Sequence, residues 1–389
     1  MPKEKVTFGI IGVGGIANSQ HLPNLTRAAF VELKAVCDLD EERLRTAQGK
    51  YEIPMATTKH REVLEDPEID AVLIATREDM QARLAVEAMW ADKHVYVEKP
   101  LAATVEQCET VVRAQKETGM KVAVGFNRRL APAYRKAKEI LDRKGGAHNV
   151  FYRIADNYVH GWGKNRDHEE GLRVIHEVCH IFDILRFFTG SEPVSIYCAK
   201  ARPEDELFTI RFENGAIACL MNSGYGTEDY PKERCEIIAE HGALTIEEFV
   251  ELRTFGFIDV DPVYRFAGHT HRDREYTQKH VFRMLGAPAL LATRRAIWEH
   301  QEDAKRLEEL DDPARKAELD DWVAHHQARH PPINYMVDKG WLAAVDHFAE
   351  CIRKDEQPRT ATAIDGLQAS RMSHAAIESR ETGQIVSME

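Results

Sequence analysis

The chain lacks any run approaching the ~20 apolar residues that a membrane span requires. Behind its opening Met-Pro-Lys-Glu-Lys it shows no apolar signal core followed by a small-residue cleavage site. Neither a membrane span nor export is therefore expected. Cysteine pairs are missing as well. Cys37, Cys108, Cys179, Cys198, Cys219, Cys235 and Cys351 are scattered, odd in number and form no C-x-x-C, the usage of reduced thiols in a cytoplasmic protein. Positive charge is in short supply, 52 basic against 64 acidic residues and a net charge of −12. That balance disfavours partners such as a nucleic-acid backbone or an anionic membrane. No internal repeat or low-complexity tract is visible. What remains is an ordinary globular composition, 43% hydrophobic and 30% charged over 389 residues, suited to about two domains.

The first ~125 residues alternate short apolar runs with longer amphipathic ones. Strands are expected at 6–13, 32–37, 71–75, 94–98 and 121–126, and helices at 40–51, 79–91 and 104–118. Continuous apolar runs suit strands covered on both faces, so a parallel, doubly wound α/β sheet follows. Thr104 and Gln107 stand at capping-box spacing ahead of the third helix.

Beyond residue 126 the pattern changes to adjacent strands, at 150–157, 194–201, 208–212, 216–222 and 234–239, with one helix at 176–189. Asn214-Gly215 between two apolar runs signals a hairpin. This predicts an α+β domain, residues 127–389, with a mostly antiparallel open sheet. A charged helical insertion is expected at 273–330, with helices near 277–301 and 313–330, and two C-terminal helices within 339–380. An exposed face on the second sheet would make a homodimer or homotetramer.

Gly12, Gly14, Gly15, Ile16 and Ala17 belong to a G-x-G-x-x-A fingerprint that follows the first strand and opens a helix. Glycines there let the backbone turn tightly and approach a pyrophosphate, which the helix N-terminus receives. Asp38 ends the second strand, 21 residues after Ala17. It suits the ribose hydroxyls of NAD and would repel a 2′-phosphate, although a helix-capping role is also open to it. Glu98-Lys99-Pro100 closes the fifth strand, on the edge of the sheet where ligands bind. A lysine so placed suits proton traffic with a substrate hydroxyl.

With these segments, "VLIATRED" at 72–79, "VGFNRRLAP" at 124–132 and "EVCHIFDILRFFTG" at 177–190, the chain resembles the Gfo/Idh/MocA oxidoreductases. The resemblance implies a cis peptide before Pro100 and Lys99 beside the nicotinamide. It implies His180 as acid/base partner, and cofactor contacts from Thr76, Arg77, Gln81, Glu98, Asn127 and Arg128. Many members carry Asp four residues before the catalytic His; here that position is His176, followed by Glu177, and Gln81 replaces a frequent His. His176 and Glu177 are accordingly further catalytic candidates. His176-Glu177-Val178-Cys179-His180 also spells the H-E-x-x-H of zinc peptidases, but it coincides with the oxidoreductase helix, so no metal is expected.

The loop 156–170 is polar and aromatic, and should arch over the cleft. Tyr158 and Trp162 could stack on a sugar ring, while Asn157, His160, Arg166, Asp167 and His168 could bond its hydroxyls. Arg166 or Lys232 could receive an anionic substituent. The expected activity is NAD-dependent oxidation of a secondary hydroxyl on a sugar, cyclitol or glycoside. A redox-assisted glycosidase and a non-catalytic NAD-sensing regulator are the alternatives.

Overall fold

A computed structural model describes residues 4–162, 172–227, 230–266, 286–288, 291, 295, 317 and 337–388. The first sheet contains β1 (Val6–Ile11), β2 (Val31–Cys37), β3 (Met55–Thr57), β4 (Ala71–Ile74), β5 (His94–Val97) and β6 (Val122–Val124). All pairs are parallel and the order is β3-β2-β1-β4-β5-β6, so the direction of winding reverses between β1 and β4. The crossovers carry α1 (Leu22–Leu25), α2 (Glu41–Tyr51), α3 (His60–Leu64), α4 (Glu78–Trp90) and α5 (Val105–Thr118). The expected N-cap Thr104 accepts from Gln107 N, while the Gln107 side chain returns to Ala103 N, one residue earlier than the usual box.

α6 (Pro132–Arg143) leads into the second sheet, and α7 (Cys179–Thr189) packs on it. The sheet comprises β7 (Asn149–Ala155), β8 (Pro193–Arg202), β9 (Asp205–Phe212), β10 (Ile217–Ser223), β11 (Glu233–Ala239), β12 (Gly242–Glu247), β13 (Glu251–Phe255), β14 (Val263–Arg265) and β15 (Val386–Ser387). Its order is β14-β13-β12-β11-β7-β10-β9-β8-β15. Only β7 and β10 pair in parallel; the other pairs are antiparallel, including the β9–β10 hairpin at Asn214-Gly215. Alternation along these strands sends Tyr152, Ile210, Leu220 and Ile237 into the core. The opposite face carries the exposed Phe151, Tyr197, Leu207, Ile217 and Ile238.

The C-terminal helices join the two halves. α8 (Trp341–Lys354) sets Val345 and Phe348 against Phe8 and Tyr96 of the first sheet. Ala361 then bridges to Val124 of β6, and α9 (Ala363–Thr382) inserts Met372 and Ala376 into the second core. The helices expected at 277–301 and 313–330 lie outside the described residues, apart from isolated positions. Among the described residues no helix is long and apolar enough to cross a membrane.

Candidate active site

β1 ends at the glycine turn. Gly12 has φ +97°, and a Cβ there would lie 2.5 Å from Ala75 O, so the crossing of β1 and β4 excludes any side chain. Gly14 and Gly15 face open space instead, with nothing within 4 Å of an added Cβ. Ile16 is exposed beside them and Ala17 is buried under the turn. Asp38 Oδ2 accepts from Val13 N at 2.6 Å, which holds the carboxylate against the turn, and Oδ1 accepts from Asp40 N. The helix cap is Asp40, through Glu42 N and Arg43 N, which leaves the far side of Asp38 for a ligand. An open glycine cradle with a carboxylate at its rim fits a dinucleotide.

Thr76 and Arg77 begin the next crossover, Thr76 partly and Arg77 fully exposed. Gln81 is buried on α4 with its amide against the β5 turn, in the orientation that donates to Glu98 O at 3.2 Å. The Lys99-Pro100 peptide is cis. From this turn Lys99 Nζ reaches into the other half and donates to His176 O at 2.6 Å. His176 sits in a wide π-type turn, Val174–Val178, that precedes α7, and its ring points back to Glu78 Oε1 at 3.5 Å.

His180, on the first turn of α7, is 3% exposed and stands edge-on to Phe126. Burial pushes its pKa well below the ordinary histidine value, and Arg128 and Lys99 push it further, against Glu177. Its Nδ1 and the Oδ1 of buried Asn127 have no hydrogen-bond partner among the described residues, which suits them to meet a ligand. The Asn127 amide nitrogen is held by Lys339 O at 2.6 Å.

Arg128 is turned inward. It forms a two-pronged pair with Glu233, at 2.9 and 2.7 Å, and its Nη2 lies 3.5 Å from Glu177. Tyr152 donates to the same Glu233 carboxylate at 2.7 Å. Although burial raises the Glu177 pKa, Lys232, Arg128 and Lys99 together hold it well below the carboxylate norm, so it is a fixed anion. Lys232 divides its charge between Glu177 Oε1 and Asp156 Oδ2, each at 2.8 Å. An anionic substituent at Lys232 therefore has two carboxylates to compete with. Asp156 in turn accepts from Arg173 at 2.7 Å, whose guanidinium lies over the ring of buried Tyr158.

Asn157 is partly exposed and His160 is exposed, its ring edge-on to Tyr225. Trp162 ends the turn Tyr158–Trp162, and its side chain, Arg166, Asp167 and His168 lie outside the described residues. No group of three or more His, Cys, Asp or Glu able to hold a metal occurs among the described residues.

Thus Lys99, His180, Glu177 and Arg128 converge at one mouth between the halves. Sequence reasoning missed His21, Asp156, Arg173 and Glu233. Arg173 lies just ahead of the helix expected at 176–189, and Glu233 just ahead of the strand expected at 234–239. Both stand among other charged or polar residues, so nothing local set them apart.

Residues 6–126 match the oxidoreductase family with an NAD-binding Rossmann fold, and residues 134–245 match the GFO/IDH/MocA C-terminal domain. An inositol 2-dehydrogenase of Rubrobacter xylanophilus is 31% identical over 62% of this chain and 72% of its own. An uncharacterized oxidoreductase, YrbE, of Bacillus subtilis is 29% identical over 70% of this chain and 84% of its own. The fold matches that of a scyllo-inositol dehydrogenase from Lactobacillus casei, solved with NAD(H) and scyllo-inositol, with a TM-score of 0.70 over 98% of this chain and 99% of that one at 18% identity. The chain belongs to the Gfo/Idh/MocA family and is an NAD-binding oxidoreductase.

Proposed function

We propose that the protein oxidises a secondary hydroxyl of a cyclitol or sugar, with Lys99 and His180 managing the hydroxyl proton. The supporting observation is that Lys99, at the carboxyl end of β5, crosses to His176 O, one turn before the buried, neutral His180 on α7. NAD, when bound, supplies the hydride acceptor. The substrate carbon gives up its hydrogen as hydride and the hydroxyl gives up a proton, leaving a ketone. A neutral imidazole can take that proton, and the Lys99 ammonium can hold the oxygen while charge develops on it. Glu177 stays anionic and balances the cations around the site. The named inositol dehydrogenases among the relatives, and the polar lining from Asp156, Glu177 and Lys232, support a polyol substrate.

The test follows NADH absorbance and aglycone release together, over inositols, free sugars and aryl glycosides. NADH formed in proportion to a polyol, and lost by about 10²-fold or more in Lys99→Met, is the expected result. Aglycone release without net NADH would replace this reading with redox-assisted glycoside cleavage. NAD binding with no turnover of any member would favour a regulator.

The exposed apolar row on the second sheet is proposed to bind a second copy of the chain, as a homodimer or homotetramer. Phe151, Leu207 and Ile217 share one face across three adjoining strands. Light scattering should show an oligomer that Ile217→Glu dissociates; an unchanged mass would reject this surface.

A further inference from the structure

We infer that His21 is a positioning residue, which ties the glycine turn to the backbone of Lys99 through the Glu98 carboxylate. The inference rests on the proposed proton-transfer role of Lys99. His21 closes the helical turn Ala17–His21 directly behind the glycine fingerprint and is 1% exposed. Its Nε2 lies 2.7 Å from Glu98 Oε1, and the other oxygen of that carboxylate accepts the Lys99 N–H at 3.0 Å. One buried carboxylate therefore joins the turn at His21 to the backbone of Lys99.

Among the described residues, His21 is the one side chain that hydrogen-bonds the Glu98 carboxylate. The imidazole is caged edge-on by Tyr96 at 5.9 Å and Trp341 at 5.4 Å between ring centres. A Cβ at Gly125 would come within 3.0–3.1 Å of the carboxylate, so β6 closes the remaining side. The hydroxyl of buried Tyr96 has no hydrogen-bond partner among the described residues and does not bond this carboxylate in the structure. Removing the imidazole leaves the buried Glu98 carboxylate with the Lys99 N–H as its one hydrogen bond among the described residues. A buried charged group so deprived shifts to recover a partner. The Lys99-Pro100 turn is what it is bonded to, and displacement of a reacting group by about 1 Å costs on the order of 10²-fold in rate.

The experiment compares His21→Leu, His21→Gln and Lys99→Met in the full chain. His21→Gln can restore an N–H donor near the position of Nε2. In His21→Leu we expect kcat to fall about 10- to 100-fold, with KM for the polyol changing less than about threefold. In the cofactor-free protein, acylation of Lys99 by a small aryl ester, followed by mass spectrometry, should change rate by at least about threefold. His21→Gln should recover most of both. A His21→Leu enzyme with wild-type kcat and wild-type Lys99 labelling would overturn the inference. So would equal losses of kcat in both variants with the labelling rate unchanged, the signature of a packing defect. Should His21→Leu fail to fold, Glu98→Gln, which keeps the shape of the pair, carries the same expectation. If Lys99→Met is active, the proposed function fails; if Lys99→Met is inactive and His21→Leu is normal, only the role of His21 fails.

Discussion

His180 is kept neutral by its surroundings, first by burial and then by the cations Arg128 and Lys99. A histidine whose folded pKa is depressed refuses a proton that the unfolded chain accepts. Its contribution to stability is intact above the unfolded value, near 6.5, and declines as pH falls below it. Unfolding titrations of the wild type and His180→Asn should therefore diverge below about pH 6.5, with the variant losing less stability on acidification. The acid limb of kcat/KM should likewise lie below that value. Glu233 shows the opposite sign. Burial would raise its pKa, yet Arg128, and after it Lys339 and Lys232, hold it down at about 2. That stabilisation is present above the unfolded value, near 4.5, and is lost as pH falls from there towards 2. Glu233→Gln, which leaves Arg128 without its carboxylate, should cost about 3 kcal/mol or more in urea unfolding at neutral pH. The glycine turn, Asp38 and Lys99 stand out as strand ends in the sequence, whereas His180 is singled out only through the resemblance to the family. Glu233 lies 105 residues from Arg128, and no local pattern links them. The same holds for Arg129, which grips Asp183 and Asp365 at separations of 54 and 236 residues.

Elements were legible in proportion to how much of their character is local. β1, β4 and β5 are largely buried apolar runs, and β2 is buried over Ala35–Cys37; the structure places all four within a residue or two of the expected bounds, with β6 trimmed to three residues. β3 passed unnoticed because its three residues, Met55–Thr57, are only half-buried and depend on pairing with β2. β12 to β15 were missed for a related reason, since their strand character comes from neighbours supplied by β11 and β8. α6 carries the clear apolar spacing of Ala133, Ala137, Ile140 and Leu141, and was passed over between two motifs. The start of α8 shows how a single backbone position can govern an element. Gly340 has φ +85°, and a Cβ there would sit 2.5 Å from both Ala131 N and Asn127 O. This close approach lets Lys339 O meet Asn127 in the site. Gly340→Ala combines a left-handed backbone with a backbone clash, and should cost about 3 kcal/mol. Loss of the Asn127 contact should also raise the NAD dissociation constant. Thermal unfolding and a fluorescence titration with NAD check the two halves of that expectation. A stability change below about 0.5 kcal/mol would show that the segment simply lifts away.

At the scale of the whole molecule, the C-terminal segment makes the two sheets mutually dependent. Phe348 of α8 completes the core around Phe8 and Tyr96, Ala361 extends the edge at Val124, and α9 fills the second core with Met372 and Ala376. Neither half closes its core from its own contiguous sequence, so the chain should open as one cooperative unit. Buried thiols report on each half separately: Cys37 and Cys108 lie in the first core, Cys198 and Cys235 in the second. NAD binds the first half, and at a hundred times its dissociation constant it stabilises the folded state by about 2.7 kcal/mol. If opening is cooperative, NAD will slow the labelling of all four thiols by the same factor, about 100-fold where labelling follows global unfolding. If the sheets open independently, NAD will protect Cys37 and Cys108 while Cys198 and Cys235 react at their cofactor-free rate. The shared C-terminal helices then bind one half without transmitting its stability to the other.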